Sequence, residues 1–456
     1  MKHGILSGSG LRRVGAIALV ALLSEGCVTS ASGPSETALP PTPPPATQSS
    51  AAPASSPTSS TASQAAPAAP SGTWKSIAWT AEPVSPALGM SGTVEGQALT
   101  VYGWSGGYVA FALVPNQSPQ DQASADTPPI PTVTAGYSAD GVHWHAGQTL
   151  DPKAAGSTAL MSFKSVIEGP AGLLAVGWTG ACGSDFLDSL WTSSDGKSWQ
   201  PENVATAFGP NAPLIHDVSG GPSGYVATAL NGAGAWTSKD GRTWTRVATT
   251  SAAFANSLID DGTAGSDDFV LAGTAGVPDC GVTVGPAATP VPRTASVWWS
   301  ADASSWTRVQ LPGARPMSGQ SMWVGHLTPS QLLAVDSVWS SGKETAWGSK
   351  DGRSWVPVTL PAGADVTGTN GGYVVCAGRH NLVVSSTKDE LTSATLRLAT
   401  IDPGFDYVSV AQTGQLPEIE LADANGFSYG RLAVGPTGVV VAASDGSALW
   451  FGQPSS

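Results

Sequence analysis

The stretch T-S-S-D-G-K-S-W, residues 192–199, decides the fold. Its Asp and Gly suit a tight turn: Gly takes a positive φ without steric cost, and Asp accepts hydrogen bonds from nearby backbone N–H groups. The pattern Ser-x-Asp-Gly-x-x-Trp recurs as S-A-D-G-V-H-W from Ser138, S-S-D-G-K-S-W from Ser193, S-K-D-G-R-T-W from Ser238 and S-K-D-G-R-S-W from Ser349. S-A-D-A-S-S-W from Ser300 lacks only the Gly. The interval, about 45 to 60 residues, matches a four-stranded propeller blade with variable loops.

Each turn follows an apolar and aromatic strand, such as S-L-W-T or V-W-W. Before that lies another strand, often opened by glycines, as in G-G-Y-V-A-F-A-L from Gly106 and S-G-Y-V-A-T-A-L from Ser223. The order strand, loop, strand, turn, strand describes an antiparallel meander. Asp140, Asp195, Asp240, Asp302 and Asp351 are accordingly structural, closing hairpins while the Trp residues supply apolar surface between sheets. A catalytic residue has no reason to recur five times.

The repeat resembles the Asp-box, or BNR repeat, of sialidase-like β-propellers, over about residues 72 to 452. That family's box usually carries one more residue between the Asp and the aromatic, which here leaves room for a tight two-residue hairpin. The resemblance implies an all-β propeller. Sialidase activity, as the family practises it, uses three arginines that clamp a carboxylate, the first from an early blade, with a Tyr and Glu nucleophile pair and an Asp acid/base. No Arg occurs between Arg13 and Arg242, and Arg242, Arg308 and Arg353 lie in or beside turns. The resemblance therefore does not extend to that activity. A different glycoside hydrolase, with two carboxylates in the central funnel, is the alternative.

Counting blades gives the ring. Five are marked by turns, and residues 381–398 fit a degenerate sixth with Asp389 at its turn. The C-terminal A-L-W-F-G, ending at Gly452, matches the strand that precedes a turn, so the strand that follows is missing there. S-G-T-W-K-S-I-A-W-T from Ser71 supplies it, with Trp74 in the place of the turn Trp. The expectation is a seven-bladed propeller over residues 72–456, closed by an N-terminal strand in the last blade, with six or eight blades as the alternatives.

The chain's 456 residues include 55 Gly, 36 Pro and 17 Trp, with 12% charged residues and a formal charge of -13. Lys and Arg total 20 and form no basic cluster, which excludes a nucleic-acid partner held by phosphate neutralisation. Lys2, Arg12 and Arg13 precede the apolar run Val14 to Leu23, far short of the ~20 residues a spanning helix needs. Residues 1–26 are thus an export signal. L-L-S-E-G-C, ending at Cys27, resembles a lipobox, which implies lipidation of Cys27 and anchoring outside a bacterial cytoplasmic membrane; a secreted protein is the alternative. Residues 27–71 follow as a Ser/Thr/Ala/Pro-rich tether with Glu36 its one charge, too poor in apolar side chains to fold.

Binding is expected on the face opposite the turns, where the longest connections fall: Val114 to Pro131, Gly180 to Asp188, Ala275 to Thr294 and Thr400 to Gly426. They carry Asp185, Asp188, Asp279, Phe405, Asp406, Tyr407, Glu418 and Glu420. Cys182 and Cys280 are the sensible disulfide partners, with Cys376 in a strand. The six His residues lack metal-ligand spacing, and no cofactor motif is present, so neither a metal nor a cofactor is expected. His216-Asp217 falls near the start of an inner strand and His326 near the end of one. The sequence reads as a monomeric module that binds an extracellular protein or a glycan.

Overall fold

Runs of Val, Leu, Phe, Tyr and Trp between Gly-containing turns can satisfy their backbone groups only by pairing with one another, and they do so sheet by sheet. The computed structural model describes residues 74–82, 88, 98–114, 130–157, 162–181, 184–209, 214–229, 234–276, 293–315, 320–328, 331–338, 343–359, 375–377, 382–385, 397–402, 404–414, 416, 432–443, 446 and 448–455. All fall in the compact unit Gln64–Ser456.

The described residues form seven sheets. Sheet 1 comprises Ala98–Trp104, Gly107–Val114, Thr132–Ser138 and His145–Leu150. Sheet 2 comprises Ser162–Gly169, Gly172–Ala181, Ser184–Ser193 and Gln200–Glu202. Sheet 3 comprises Ile215–Gly221, Gly224–Ala229, Ala235–Ser238 and Thr245–Arg246. Sheet 4 comprises Ser257–Ala264, Phe269–Ala275, Thr294–Ser300 and Thr307–Gln310. Sheet 5 comprises Gln320–Thr328, Gln331–Val338, Lys343–Ser349 and Trp355–Val358. Sheet 6 comprises Val375–Ala377, Leu382–Ser385, Arg397–Ile401 and Tyr407–Ser409. In each, sequence neighbours pair antiparallel.

Sheet 7 takes Leu432–Val434, Val439–Ala442 and Leu449–Ser455 from the C-terminal part and Ser76–Glu82 from the N-terminal part. Ser76–Glu82 runs antiparallel to Leu449–Ser455, from Ser76 opposite Ser455 to Glu82 opposite Leu449. A fifth strand, Ala411–Gly414, lies parallel on its outer edge. Trp79 Nε1 donates to Gln412 Oε1 at 3.0 Å across that junction. The closing strand is therefore held on both edges from Ser76 to Trp79 and on one edge from Thr80 to Glu82.

Shared apolar clusters link the sheets in order. Trp199 and Phe163 of sheet 2 pack with Phe111 of sheet 1, the two Phe rings stacked at 4.1 Å. Tyr225 and Trp244 join sheets 2 and 3, Phe254 and Trp298 join 3 and 4, and Trp347 and Trp355 join 4 and 5. Leu398 and Val410 pack on sheet 7, and Phe451 and Trp144 join sheet 7 to sheet 1. Sheet 6 meets sheet 5 where Gln331 Nε2 donates to the Asp402 carbonyl at 2.7 Å. First strands touch in succession from sheet 7 through sheet 1 to sheet 6, so these strands are innermost.

The repeated turn explains its own letters. In the first, Asp140 Oδ1 accepts from Val142 N at 2.9 Å and His143 N at 2.8 Å, Ser138 Oγ accepts from Gly141 N at 2.9 Å, and Trp144 Nε1 donates to the Gly141 carbonyl at 3.1 Å. Gly141 has φ 84°, a conformation that favours Gly. The turns at Asp195, Asp240, Asp302 and Asp351 repeat the carboxylate bonding.

Two expectations are corrected here. The sixth turn is not at Asp389, which lies outside the described residues; Leu382–Ser385 and Arg397–Ile401 are the second and third strands, so the hairpin into the fourth starts at Asp402. Asp402 Oδ1 accepts from Gly404 N at 2.7 Å and Asp406 N at 2.9 Å, which is the bonding of the other turns with one residue more. Second, Gly180 to Asp188 is not a long connection: Ala181 pairs with Ser184, and both strands continue to that tight reversal.

Candidate functional site

Among the described residues expected to bind, Asp185 and Asp188 lie apart from Phe405, Asp406 and Tyr407. Asp185 and Asp188 are strand residues of sheet 2, and Asp188 is engaged by the Ser157 hydroxyl. Phe405 and Asp406 lie in the sixth turn and Tyr407 in the strand after it, so all three sit at the end that carries the repeated turns, opposite to the face expected. Phe405 is buried, with φ 69°, close against Gly348 of sheet 5, which makes it a packing residue. Asp279, Glu418 and Glu420 lie outside the described residues, as do Cys27, Cys182 and Cys280. Arg242 and Arg353 do lie in turns, and His326 lies at the turn end of its inner strand, beside Gly265 and Asp268.

A different group assembles at the other end of the inner strands. Three consecutive inner strands carry an irregularity at one equivalent place, between Phe163 and Ser165, between Ile215 and Asp217, and between Ile259 and Asp261. The extra residues are Lys164, His216 and Asp260. A bulge leaves its extra residue unpaired in the ladder and re-aims the side chain, and bulges gather beside functional sites. Here they place a polar residue where continued alternation would put it against the core.

The side chains next to the bulges then reach from sheet to sheet. Lys164 Nζ donates to the His216 carbonyl at 3.4 Å, stands 4.0 Å from Asp217 Oδ1 and lies 4.2 Å from the Trp178 ring centroid. Asp217 shares a hydrogen bond with Asp261. Asp261 accepts from Gly262 N at 2.7 Å and, across the next seam, from Val324 N at 2.8 Å. Asp260 Oδ2 accepts from Met322 N at 3.1 Å. The chain runs from sheet 2 to sheet 5.

Burial governs its protonation. Loss of solvent pushes the Asp260 carboxyl up to about 7, with the Met322 N–H and Arg293 opposing and Asp336 adding to the rise. Asp261, fully enclosed, is raised well above the ordinary carboxylate value, first by desolvation and then by the Asp217 carboxylate. Asp217 keeps a side chain 32% exposed, whereas that of Lys164 is 10% exposed, so the polar wall opens to solvent through Asp217 and His216, with Asp260 largely enclosed behind them.

The arrangement suits hydrogen bonding better than glycoside hydrolysis. Two carboxyls that flank a glycosidic bond stand about 5 to 9.5 Å apart, whereas Asp217 and Asp261 share a hydrogen bond. Among the described residues no group of three or more His, Cys, Asp and Glu side chains is placed to hold a metal ion.

No protein-family model matches the chain, and no curated protein matches it. Solved structures do. The chain is similar to a xyloglucanase of family GH74 from Xanthomonas campestris at 15% identity and a TM-score of 0.34, over 68% of this chain and 52% of that one, so it spans about half of that enzyme. It is similar to the Hadza microbial sialidase at 13% identity and a TM-score of 0.37, over 71% and 73% of the two chains. The fucose-specific lectin of Aleuria aurantia is similar at 12% identity and a TM-score of 0.35, over 71% and 98%. The class defined by the seven sheets is an all-β propeller fold.

Proposed function

We propose that this protein is a seven-bladed propeller that binds a hydroxyl-rich glycan at the mouth formed by the inner strands of sheets 2 to 4. Three aligned bulges carry the reading, because they present Lys164, His216 and Asp260 at one level of three neighbouring strands. A carboxyl raised to about 7, as that of Asp260 is, both donates and accepts hydrogen bonds when protonated, which suits sugar hydroxyls. The close Asp217–Asp261 pair favours binding over hydrolysis. Residues 1–26 serve as the export signal, Cys27 as the lipid-bearing residue and residues 27–71 as the tether, which places the propeller outside the cytoplasmic membrane.

The test is a glycan-binding screen of the full-length protein with hydrolysis followed in the same wells. Asp217→Asn and His216→Ala are each expected to weaken binding about tenfold, the worth of one hydrogen bond to a charged group, with little change in melting temperature. Binding that survives both substitutions, or reducing ends released from the bound glycan, would refute the reading. Cys27→Ala is expected to move the protein into the medium or leave its precursor uncleaved; an unchanged membrane fraction would refute the anchor.

A further inference from the structure

The seams between successive turns are bridged in different ways, and three of them are bridged by the same position. The residue two positions after the turn Asp reaches back to the residue before the preceding turn's Ser. Between sheets 4 and 5, Arg353 lies 3.5 Å over the Trp299 ring. Between sheets 2 and 3, Arg242 Nη2 donates to Thr192 Oγ1 at 3.0 Å and its Nε stands 2.7 Å from Glu202. Both seams are shut by direct contact. Between sheets 1 and 2 the corresponding pair is Lys197 and Tyr137, and the ammonium stands 4.7 Å from the ring centroid.

A cleft of about 390 Å³ opens at this seam, at the low end of the range for small-ligand sites. Its wall combines two kinds of group. Trp104 is a partly exposed aromatic surface lying over Gly106, where a Cβ would stand 2.4 Å from its ring, and Tyr137, with His145 stacked on it at 5.2 Å, contributes its edge and hydroxyl end. Lys197 offers a donor, and Asp195, whose Oδ1 accepts from Lys197 N and Ser198 N in its own turn, offers Oδ2 beside it as an acceptor. An aromatic surface next to a donor and an acceptor matches a pyranose, whose C–H face is apolar and whose hydroxyls alternate as acceptors and donors. With Lys197 offset by Asp195, and His143 held by Asp140 at 2.7 Å, the wall carries opposed charges that do not select an ion.

We propose that this cleft is a second saccharide subsite, taking a short neutral segment of glycan on the face opposite the mouth. The proposal rests on the glycan-binding reading above, and it makes the propeller bivalent: two faces, two chains of the same polymer.

The experiment is calorimetric titration of the full-length protein with three neutral hexasaccharides: β-1,4-glucan, β-1,4-xylan and β-1,4-mannan. Ala139 is exposed on the cleft wall, at a turn position that holds Lys239 and Lys350 elsewhere, so Ala139→Trp can fill the cleft without entering the core. Two binding events are expected for the unaltered protein, one for Ala139→Trp, and for Asp217→Asn one unchanged and one weakened about tenfold; Lys197→Ala should weaken the cleft event about tenfold. If Ala139→Trp proves unstable, Ala139→Arg serves the same purpose. A single event untouched by Ala139→Trp, Ala139→Arg or Lys197→Ala overturns the second subsite and leaves the mouth standing. A single event abolished only by the cleft substitutions overturns the mouth and supports the cleft. No event with any sugar overturns both.

Discussion

At the scale of single residues, the turns show what a missing Gly costs. Gly141, Gly196, Gly241 and Gly352 hold φ between 67° and 84°, and in the fourth turn Ala303 is held at 63° by the same bonding. A residue with a Cβ pays for the left-handed region roughly 1 kcal/mol relative to Gly, less what Gly loses in unfolded-chain entropy. Ala303→Gly is therefore expected to stabilise the protein by about 0.5 to 1 kcal/mol in urea unfolding, and Gly241→Ala to destabilise it by at least as much. Gly241→Ala also brings a Cβ to 3.3 Å from Leu174, so its loss should be the larger in magnitude. Equal stability of Ala303→Gly and the unaltered protein would show that the turn has relaxed around Ala303.

At the scale of elements, the two variable positions between Gly and Trp do more than fill the turn. Arg353 and Arg242 tie each turn to the one before it, so the repeat couples neighbouring sheets through side chains as well as through packed Trp. Arg353→Ala is expected to cost about 1 kcal/mol in urea unfolding, the worth of a cation over an indole at an exposed site. Arg353→Lys should recover less than half of that, because an ammonium lacks the planar face that lies on Trp299. A full recovery would reduce the contact to charge alone. The strand order and the closure by Ser76–Glu82 were legible because aligned letters, S-L-W-T-S against A-L-W-F-G, carry the meander. The sixth turn was not, because D-P-G-F-D-Y from Asp402 has a longer spacing and Tyr for Trp. The mouth was missed for a different reason. Its signal is a polar pair interrupting an apolar start, F-K-S-V at 163, I-H-D-V at 215 and I-D-D-G at 259, and a bulge breaks the alternation by which such a pair would be read.

At the scale of the whole molecule, two sets of carboxyls pull the pH dependence of stability in opposite directions. The turn residues Asp195, Asp240 and Asp351 have their carboxyls lowered in the folded state by turn backbone N–H groups and Ser hydroxyls, against some desolvation that acts the other way. Their contribution is present above the unfolded value of 3.8 and is lost as the pH falls below it. Asp260 is raised from 3.8 to about 7, so its contribution is complete below the unfolded value and drains away as the pH climbs to about 7. Asp261 acts in the same sense. Stability should therefore peak near pH 4 and fall between pH 4 and 7, a course set by where each group sits in the ring. Asp260→Asn keeps an oxygen to accept from Met322 N but cannot titrate. It should lessen the decline between pH 4 and 7 in melting temperature, the part due to Asp261 remaining, and leave the acid limb unchanged. A decline of undiminished slope in that variant would place the loss on groups other than Asp260, and that carboxyl would then be a fixed polar group rather than one that changes charge near neutrality.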